Sequence, residues 1–385
     1  MVPSIFFVIL HRMDKMRAKL AERTAQGNLR NLVRGQGRID FFSNDYLGLA
    51  RSAELSRNIS QAYAKFDGKI NGSAGSRLLA GHNVFFEELE VFLAGIFLAE
   101  KALVFNSGYN ANLAILSCVP QRGDTILYDE LIHASLIDGA RLSFARRHSF
   151  AHNDLNDLRR LLQKSEGDVY VVIESVYSMD GDCAPLREIL DLCETFGANL
   201  IVDEAHSTGV YGDKGSGMVC MLGLQNRVFA RVMTFGKAMG VHGACVCGSS
   251  VLIDYLINFA RSFIYTTALP VHSLVSIDQS FRFLARYEIL QSQLREKIHI
   301  FLKLTEELRL GTVLIPSQSS VQMLKVPGNT NAKKLATHLM DAGFDVRAIL
   351  SPTVKEGEER LRICIHSFNT SEDIYRLVKE TASVI

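Results

Sequence analysis

Lys237 stands in the stretch TFGKAMG, between two glycines and just after the β-prone run RVFARVMTF. A lysine exposed to solvent needs no such setting. One that reaches into a pocket does, because Gly236 and Gly240 let the backbone turn tightly and approach another segment. Upstream, Asp203 closes the apolar run NLIV, and His206 follows in the same loop. His133 sits in an earlier strand-to-helix loop, and NSGYNAN, residues 106–112, reads as a turn at a helix start, where backbone N–H groups attract an anion. Each feature also has a plain structural reading. Asp203 and Glu204 could cap a helix. His206 and His133 could be satisfied or packed rings, and SGYNAN lacks the spacing of a dinucleotide fingerprint or a P-loop. Taken in order along one sheet edge, they describe one chemistry. A lysine forms a Schiff base with an aldehyde cofactor, a carboxylate pairs with a protonated ring nitrogen, an aromatic ring stacks on the cofactor, and a helix N-terminus holds its phosphate. These are the needs of pyridoxal 5'-phosphate, PLP.

The surrounding pattern supplies elements that could position such groups. KALVFNSGYNANLAIL reads as strand, glycine turn and helix, and DTILYDELIHASLIDGA as strand, loop and helix. DVYVVIESVYSMDG, ANLIVDEAHSTGVYG and RVFARVMTFGKAMG are apolar runs that end in polar loops, and GACVCGS is one more strand. Continuous apolar strands separated by helices imply a largely parallel sheet covered on both faces. Ligands bind such sheets at the carboxyl ends of the strands, where the polar residues here fall. Residues 14–33 read as a polar helical arm, and IDFFSNDYLGL as a short strand with a turn. The last hundred or so residues shift to long helices and then to strands such as SVQMLKV and RLRICIH, the pattern of an α+β unit. The expected division is an arm over 1–40, a large domain over 41–275, and a small C-terminal domain with its linking helix over 276–385.

Composition sets bounds on partners. The chain has 385 residues, 48% of them apolar and 22% charged, with a net charge of +1. That balance fits a globular protein without a nucleic-acid surface. The seven cysteines include one close pair, in ACVC, which alternates like a strand and lacks metal-site spacing. Reduced thiols in a cytoplasmic protein, with no metal, are expected. The opening MVPSIFFVIL is too short to span a bilayer and lacks the features of a secretory signal, so translation is expected to begin at Met13 or Met16.

The joint presence, in order, of FFSNDYLGL, GSAGSRLLAGHNVFFEELE, FNSGYNAN, YDELIHAS, VIESVYSMDGDCAPL, LIVDEAHSTGVYG, TFGKAMG and IYTTALP resembles the α-oxoamine synthases, a branch of the fold-type-I PLP enzymes. The resemblance covers nearly the whole chain and implies the aspartate aminotransferase-like fold. It also implies a homodimer with shared active sites and a decarboxylative condensation of an amino acid with an acyl thioester. SNDYLGL, GSRLLAGH and IYTTALP are most similar to the members that join L-alanine to a pimeloyl thioester. The branches that use glycine with acetyl, or serine with palmitoyl, share the chemistry. A non-catalytic scaffold and a plain aminotransferase are the readings from outside the family.

Position by position, the resemblance implies these roles. Lys237 is the Schiff-base lysine and proton carrier, Asp203 the partner of the ring nitrogen, and His133 the stacking ring. His206 and Ser178 lie near the cofactor's phenolic oxygen, with Ser178 placed to polarise the thioester. Ser107, Gly108, Tyr109 and Thr234 hold the phosphate, and Thr266 or Thr267 reaches it from the neighbouring subunit. Glu174 orients active-site groups, Asn44 faces the substrate, and Arg362 binds the amino-acid carboxylate. Three departures bear on the acyl tail. Leu350 stands where an arginine is common, Ser351-Pro352 replaces a doubled proline, and Lys355 replaces a proline. Arg77, Arg347 and Lys355 are the candidate replacement cations.

Overall fold

The computed structural model describes residues 13–32, 37–66 and 70–385. The apolar opening stretch therefore lies outside the described residues. Thirteen strands occur among the described residues, in three sheets. In chain order they are β1 (Ile39–Asp40), β2 (Lys101–Phe105), β3 (Thr125–Asp129), β4 (Arg146–Phe150), β5 (Val169–Glu174), β6 (Asn199–Asp203), β7 (Ala230–Thr234), β8 (Ala244–Gly248), β9 (Leu314–Ile315), β10 (Val321–Lys325), β11 (Phe344–Asp345), β12 (Arg347–Ile349) and β13 (Arg360–Cys364).

The central sheet has seven strands in the order β2-β8-β7-β6-β5-β3-β4. Period-two alternation sends its two faces into different cores. On β8, Cys245 and Cys247 join one apolar cluster, and Ala244 and Val246 join the other. This accounts for the ACVC pattern, whose thiols are buried and free. The strands from β7 to β4 pair in parallel. β8 runs antiparallel to both its neighbours. The reason is short: only residues 235–243 join β7 to β8, and a parallel crossover needs about a dozen residues or more. A turn closed by the Phe235 N–H to Gly243 carbonyl bond (2.9 Å) is what fits, and Lys237 sits in it.

Of the two flanking glycines, Gly240 is the demanding one. Its φ is +66°, and a Cβ there would lie 2.2 Å from the Ala50 nitrogen. A Cβ at Gly236 would meet nothing closer than 3.9 Å, so close approach is not its role.

The arm forms the helix Asp14–Ala25, which buries no residue. The C-terminal unit is an antiparallel sheet in the order β12-β13-β10-β9, with helices Ile289–Glu307, Asn329–Asp341 and Ser371–Ala382. The 275/276 division falls inside the helix Val271–Arg286. Residues soon after position 40 attach to the C-terminal unit. β1 pairs with β11, the Phe41 N–H donates to the Asp345 carbonyl (3.1 Å), and the Cys364 N–H donates to the Phe41 carbonyl (2.7 Å). That strap holds Asn44 and Tyr46 beside β13, and so beside Arg362.

Candidate active site

Pairing in register sets the centre of the site. Glu174 at the end of β5 pairs with Asp203 at the end of β6, and Thr234 ends the adjoining β7. Past β2, Ser107 caps the helix Gly108–Cys118 through its side-chain oxygen, a contact worth about 1 kcal/mol. A Cβ added to Gly108 would come within 3.4 Å of Thr234, so the helix start and the β7 end form one narrow cradle. The first-turn N–H groups and roughly half a unit of positive charge from the helix dipole point into it. Past β3, His133 caps the helix Ala134–Leu142, with Nδ1 accepting from the Ser135 N–H at 3.2 Å.

One hydrogen-bonded chain runs from His133 to Asp203. Ser135 Oγ donates to His133 Nδ1 (2.8 Å) and accepts from Asn112 Nδ2 (2.9 Å). Asn112 Nδ2 also donates to Asp203 Oδ2 (2.7 Å), and the Ala205 N–H donates to Oδ1 (2.8 Å). Two accepting roles at His133 Nδ1 leave the ring proton on Nε2. Asp203 is 4% exposed, and among the described residues no cationic side chain lies within 4 Å of it. A buried carboxylate is stable only when paired or well hydrogen-bonded.

On the other side, Lys237 Nζ is 2.7 Å from His206 Nε2. Burial pushes the Lys237 amine down to about 8, and the charges of Asp203 and Glu174 partly oppose the fall. Burial, with Lys237 and Arg362 adding to it, drives His206 well below the usual imidazole range. Glu174 is pushed up to about 8 by burial first and by the Asp203 charge second. Its Oε2 accepts from the Ser178 N–H (3.2 Å), while Oε1 is buried without a partner. Arg362 Nε donates to the Ser178 carbonyl (3.2 Å), and Nη2 donates to Asn44 Oδ1 (3.0 Å).

The expected residues therefore gather around Lys237, with exceptions at the rim. Tyr109 is exposed and donates its hydroxyl to Asp138 (2.6 Å). Thr266 and Thr267 meet Asn106 of the same chain, whose amide donates to the Thr267 carbonyl (2.7 Å). Two candidate cations for the acyl tail are engaged elsewhere. Arg77 is held by Glu90 and lies over Phe86, and Arg347 is held by Asp345.

Three residues were not foreseen as site residues: Asn112, Ser135 and Tyr46. Asn112 carried a signal. It lies one helical turn past Gly108, a polar residue on a face that otherwise buries Ala111, Ile115 and Leu116. Ser135 and Tyr46 lie within quoted motifs, but nothing in their spacing reveals the partners they meet.

The features a PLP group requires are present. Asp203 is a buried carboxylate with only neutral donors against it, Glu174 Oε1 and Asn112 Oδ1 are buried without partners, and the Gly108–Thr234 contact lies at a helix start, where backbone N–H groups attract an anion. The family model for class I and II aminotransferases matches residues 37–380. The chain belongs to that family. Members similar to this class I/II chain include the 8-amino-7-oxononanoate synthase of Emericella nidulans, 40% identical over 96% of this chain and 95% of the relative. That of Marinobacter nauticus is 40% identical over 90% of this chain and 87% of the relative. Among solved structures, serine palmitoyltransferase from S. paucimobilis with a bound PLP–myriocin aldimine superposes with a TM-score of 0.88, at 26% identity and 98% coverage of both chains. The 8-amino-7-oxononanoate synthase of Francisella tularensis gives 0.76 at 29% identity, covering 90% of this chain and 97% of that one. The aspartate aminotransferase-like fold and PLP as cofactor follow for this chain. No helix among the described residues is long and apolar enough to cross a membrane.

Proposed function

We propose that this chain is an 8-amino-7-oxononanoate synthase of biotin synthesis. It condenses L-alanine with a pimeloyl thioester and releases CO₂ and the free thiol. The observation that carries the reading is the 40% identity to synthases of that name over nearly the whole chain. The buried Lys237–His206–Asp203 centre supports it and argues against a non-catalytic scaffold.

Bound PLP supplies an electron sink for charge that develops at the amino-acid Cα. This chain's own residues do the rest. Asp203 holds a proton at the ring nitrogen, where a negative neighbour favours the charged form. His133 gives the cofactor a flat face, and Ser107, Gly108, Tyr109 and Thr234 offer the phosphate donors at a helix start. Lys237, depressed by burial, removes and returns the Cα proton. Arg362 and Asn44 take the alanine carboxylate in a forked contact that fixes orientation. That contact would decide which Cα bond is presented for breaking. Ser178, on the loop after β5 and held by Glu174 at its N–H and by Arg362 at its carbonyl, faces the incoming thioester carbonyl, and His206 stays beside the lysine. Lys355 is the remaining candidate cation for the far end of the acyl chain.

The fold likeness to serine palmitoyltransferase supports a second reading, serine with palmitoyl thioester. A chain-length series separates the two. With alanine, kcat/KM for the pimeloyl thioester is expected to exceed that for acetyl or palmitoyl by about tenfold or more, since a few methylenes in a fitted pocket are worth about that much each way. A preference for palmitoyl with serine, or for acetyl with glycine, overturns the assignment.

The enzyme works as a homodimer in the cytoplasm, with Thr266 and Thr267 at the phosphate edge of the partner's site. Support comes from the rim. The Ala268 N–H donates to the Gly75 carbonyl (2.9 Å) and Ser73 Oγ to the Leu269 carbonyl (2.7 Å), which knits residues 73–75 to residues 266–269. Leu78, Leu79 and Tyr265 are exposed beside this segment, and apolar side chains grouped at a surface mark an interface. Sedimentation is expected to give a dimer at micromolar concentration, and a fully active monomer would refute it. Free thiols in all seven cysteines support the cytoplasmic reading.

A further inference from the structure

Tyr46 is 1% exposed, and its hydroxyl stands between two site residues. The oxygen is 2.6 Å from His206 Nδ1 and 3.1 Å from Asn44 Oδ1. Asn44 Oδ1 also accepts from Arg362 Nη2 at 3.0 Å, and His206 Nε2 is 2.7 Å from Lys237 Nζ. Arg362, Asn44, Tyr46, His206 and Lys237 thus form one unbroken row.

A tyrosine hydroxyl has one proton to give, and a neutral imidazole has one donor and one acceptor nitrogen. The row therefore has two self-consistent arrangements. When Lys237 is neutral, its nitrogen accepts from Nε2–H and Tyr46 donates to Nδ1. When Lys237 is charged, Nζ donates to Nε2, Nδ1–H donates to the Tyr46 oxygen, and Tyr46 donates to Asn44 Oδ1.

We propose that Tyr46 is a positioning residue for the Lys237 chemistry, setting the His206 tautomer and carrying the charge state of Lys237 to the Asn44–Arg362 end of the site. On passing from charged to neutral, Lys237 gives a proton to Nε2 and Nδ1 gives one to the Tyr46 oxygen. Tyr46's own proton leaves to solvent beside half-buried Asn44, so one proton is released in all. Burial holds the His206 ring neutral in both arrangements. The charged or titratable groups facing Lys237 are Asp203, Glu174, Arg362, Cys364, His133 and His206, and His133 also faces His206. Arg362, His366, Tyr211 and Cys364 surround Tyr46. The inference rests on the Lys237 role above, but not on which substrates are used.

Nitrogen NMR of the apoprotein labelled with ¹⁵N-histidine tests it without any substrate. In the wild type, His206 Nδ1 is expected to be protonated at about pH 6.5 and unprotonated at about pH 9.5, because lysine loses its charge in between. In Tyr46→Phe the ring packing remains, and at about pH 6.5 the Lys237 ammonium, which has no acceptor, still keeps the proton on Nδ1. At about pH 9.5 Nδ1 has no donor to hold it unprotonated, so both tautomers should be mixed there and the reversal is lost. The PLP-loaded variant should show kcat lowered by about tenfold, the scale of a misplaced proton-transfer partner, and a modestly lowered Tm, because a buried ring nitrogen loses its partner. No tautomer reversal in the wild type overturns the proposal, and so does a wild-type reversal in Tyr46→Phe. A variant that moves Tm alone, with kcat and the nitrogen spectrum as in the wild type, reduces Tyr46 to a packing role and also overturns it.

Discussion

Lys237→Ala is expected to lower turnover by about 10⁴-fold or more, while the variant still binds PLP through its phosphate and ring contacts. The size follows from the number of tasks that meet at one atom. Nζ is the only amine in the buried centre among the described residues, and it lies within hydrogen-bond reach of His206. In the proposed role it holds the cofactor and then moves a proton, and groups that serve as a unit cost their whole contribution when removed. Its basicity is matched to the task. With its titration pushed down to about 8, about one Lys237 amine in ten is neutral at pH 7, against about one in three thousand for an ordinary lysine. Only the neutral amine can accept a proton. The sign of the pH dependence follows: activity should rise as pH climbs through the lowered lysine value, and then level off. Lys237→Arg should fail nearly as badly as Lys237→Ala, because a guanidinium stays charged and cannot act as a base. Single-turnover measurement of both variants, with cofactor retention read by absorbance, checks this. Turnover by Lys237→Ala within tenfold of the wild type would show that another group moves the proton.

The layout that makes Lys237 reactive was partly open to sequence reasoning. β5, β6 and β7 are short apolar runs, each ending at a polar residue, so the sheet and its functional edge could be read from run length and the polar residues that close each run. Gly240 three residues past the lysine likewise signalled a tight turn. The antiparallel β8 could have been read from the shortness of residues 235–243, because loop length is a local property. Two kinds of fact were not local. Residues just after position 40 strap onto the C-terminal unit through β11 and β13, and no pattern around Phe41 names those strands. The partners of Asn112 and Tyr46 were hidden for the same reason. Asn112 is polar on a mostly apolar helix face, which marks it as unusual, whereas Tyr46 carries no such mark, and Asp203 and His206, which they meet, come from distant elements. Arg77 shows the reverse error. As a cation near a glycine-rich motif it looked free to bind a carboxylate, yet Glu90 from the following helix already occupies it.

Asp203→Asn is expected to slow exchange of the alanine Cα proton by about 10³-fold, with PLP still bound. A carboxylate beside a protonated ring nitrogen shifts that nitrogen's titration by about 1–3 units, and three units are three decades in the charged population. Loss of the charge therefore weakens the electron sink while leaving the phosphate cradle untouched. The substitution also has a cost in hydrogen bonding. Asp203 accepts from Asn112 Nδ2 on one oxygen and from the Ala205 N–H on the other. An asparagine can keep only one of these acceptors, because its amino group must face a donor at the other. A buried unmatched donor costs about 1–3 kcal/mol, so Tm should fall as well. Lys237 should respond in a defined direction. The Asp203 charge raises the lysine's titration against the effect of burial, so its removal lowers it further and leaves more neutral amine at pH 7. A drop in exchange thus cannot come from a less basic fraction of Lys237 being available. It must come from the sink. Proton NMR of alanine in deuterated buffer, wild type against variant at matched PLP occupancy, reads the rate directly, and exchange at the wild-type rate would remove Asp203 from the electron-sink role.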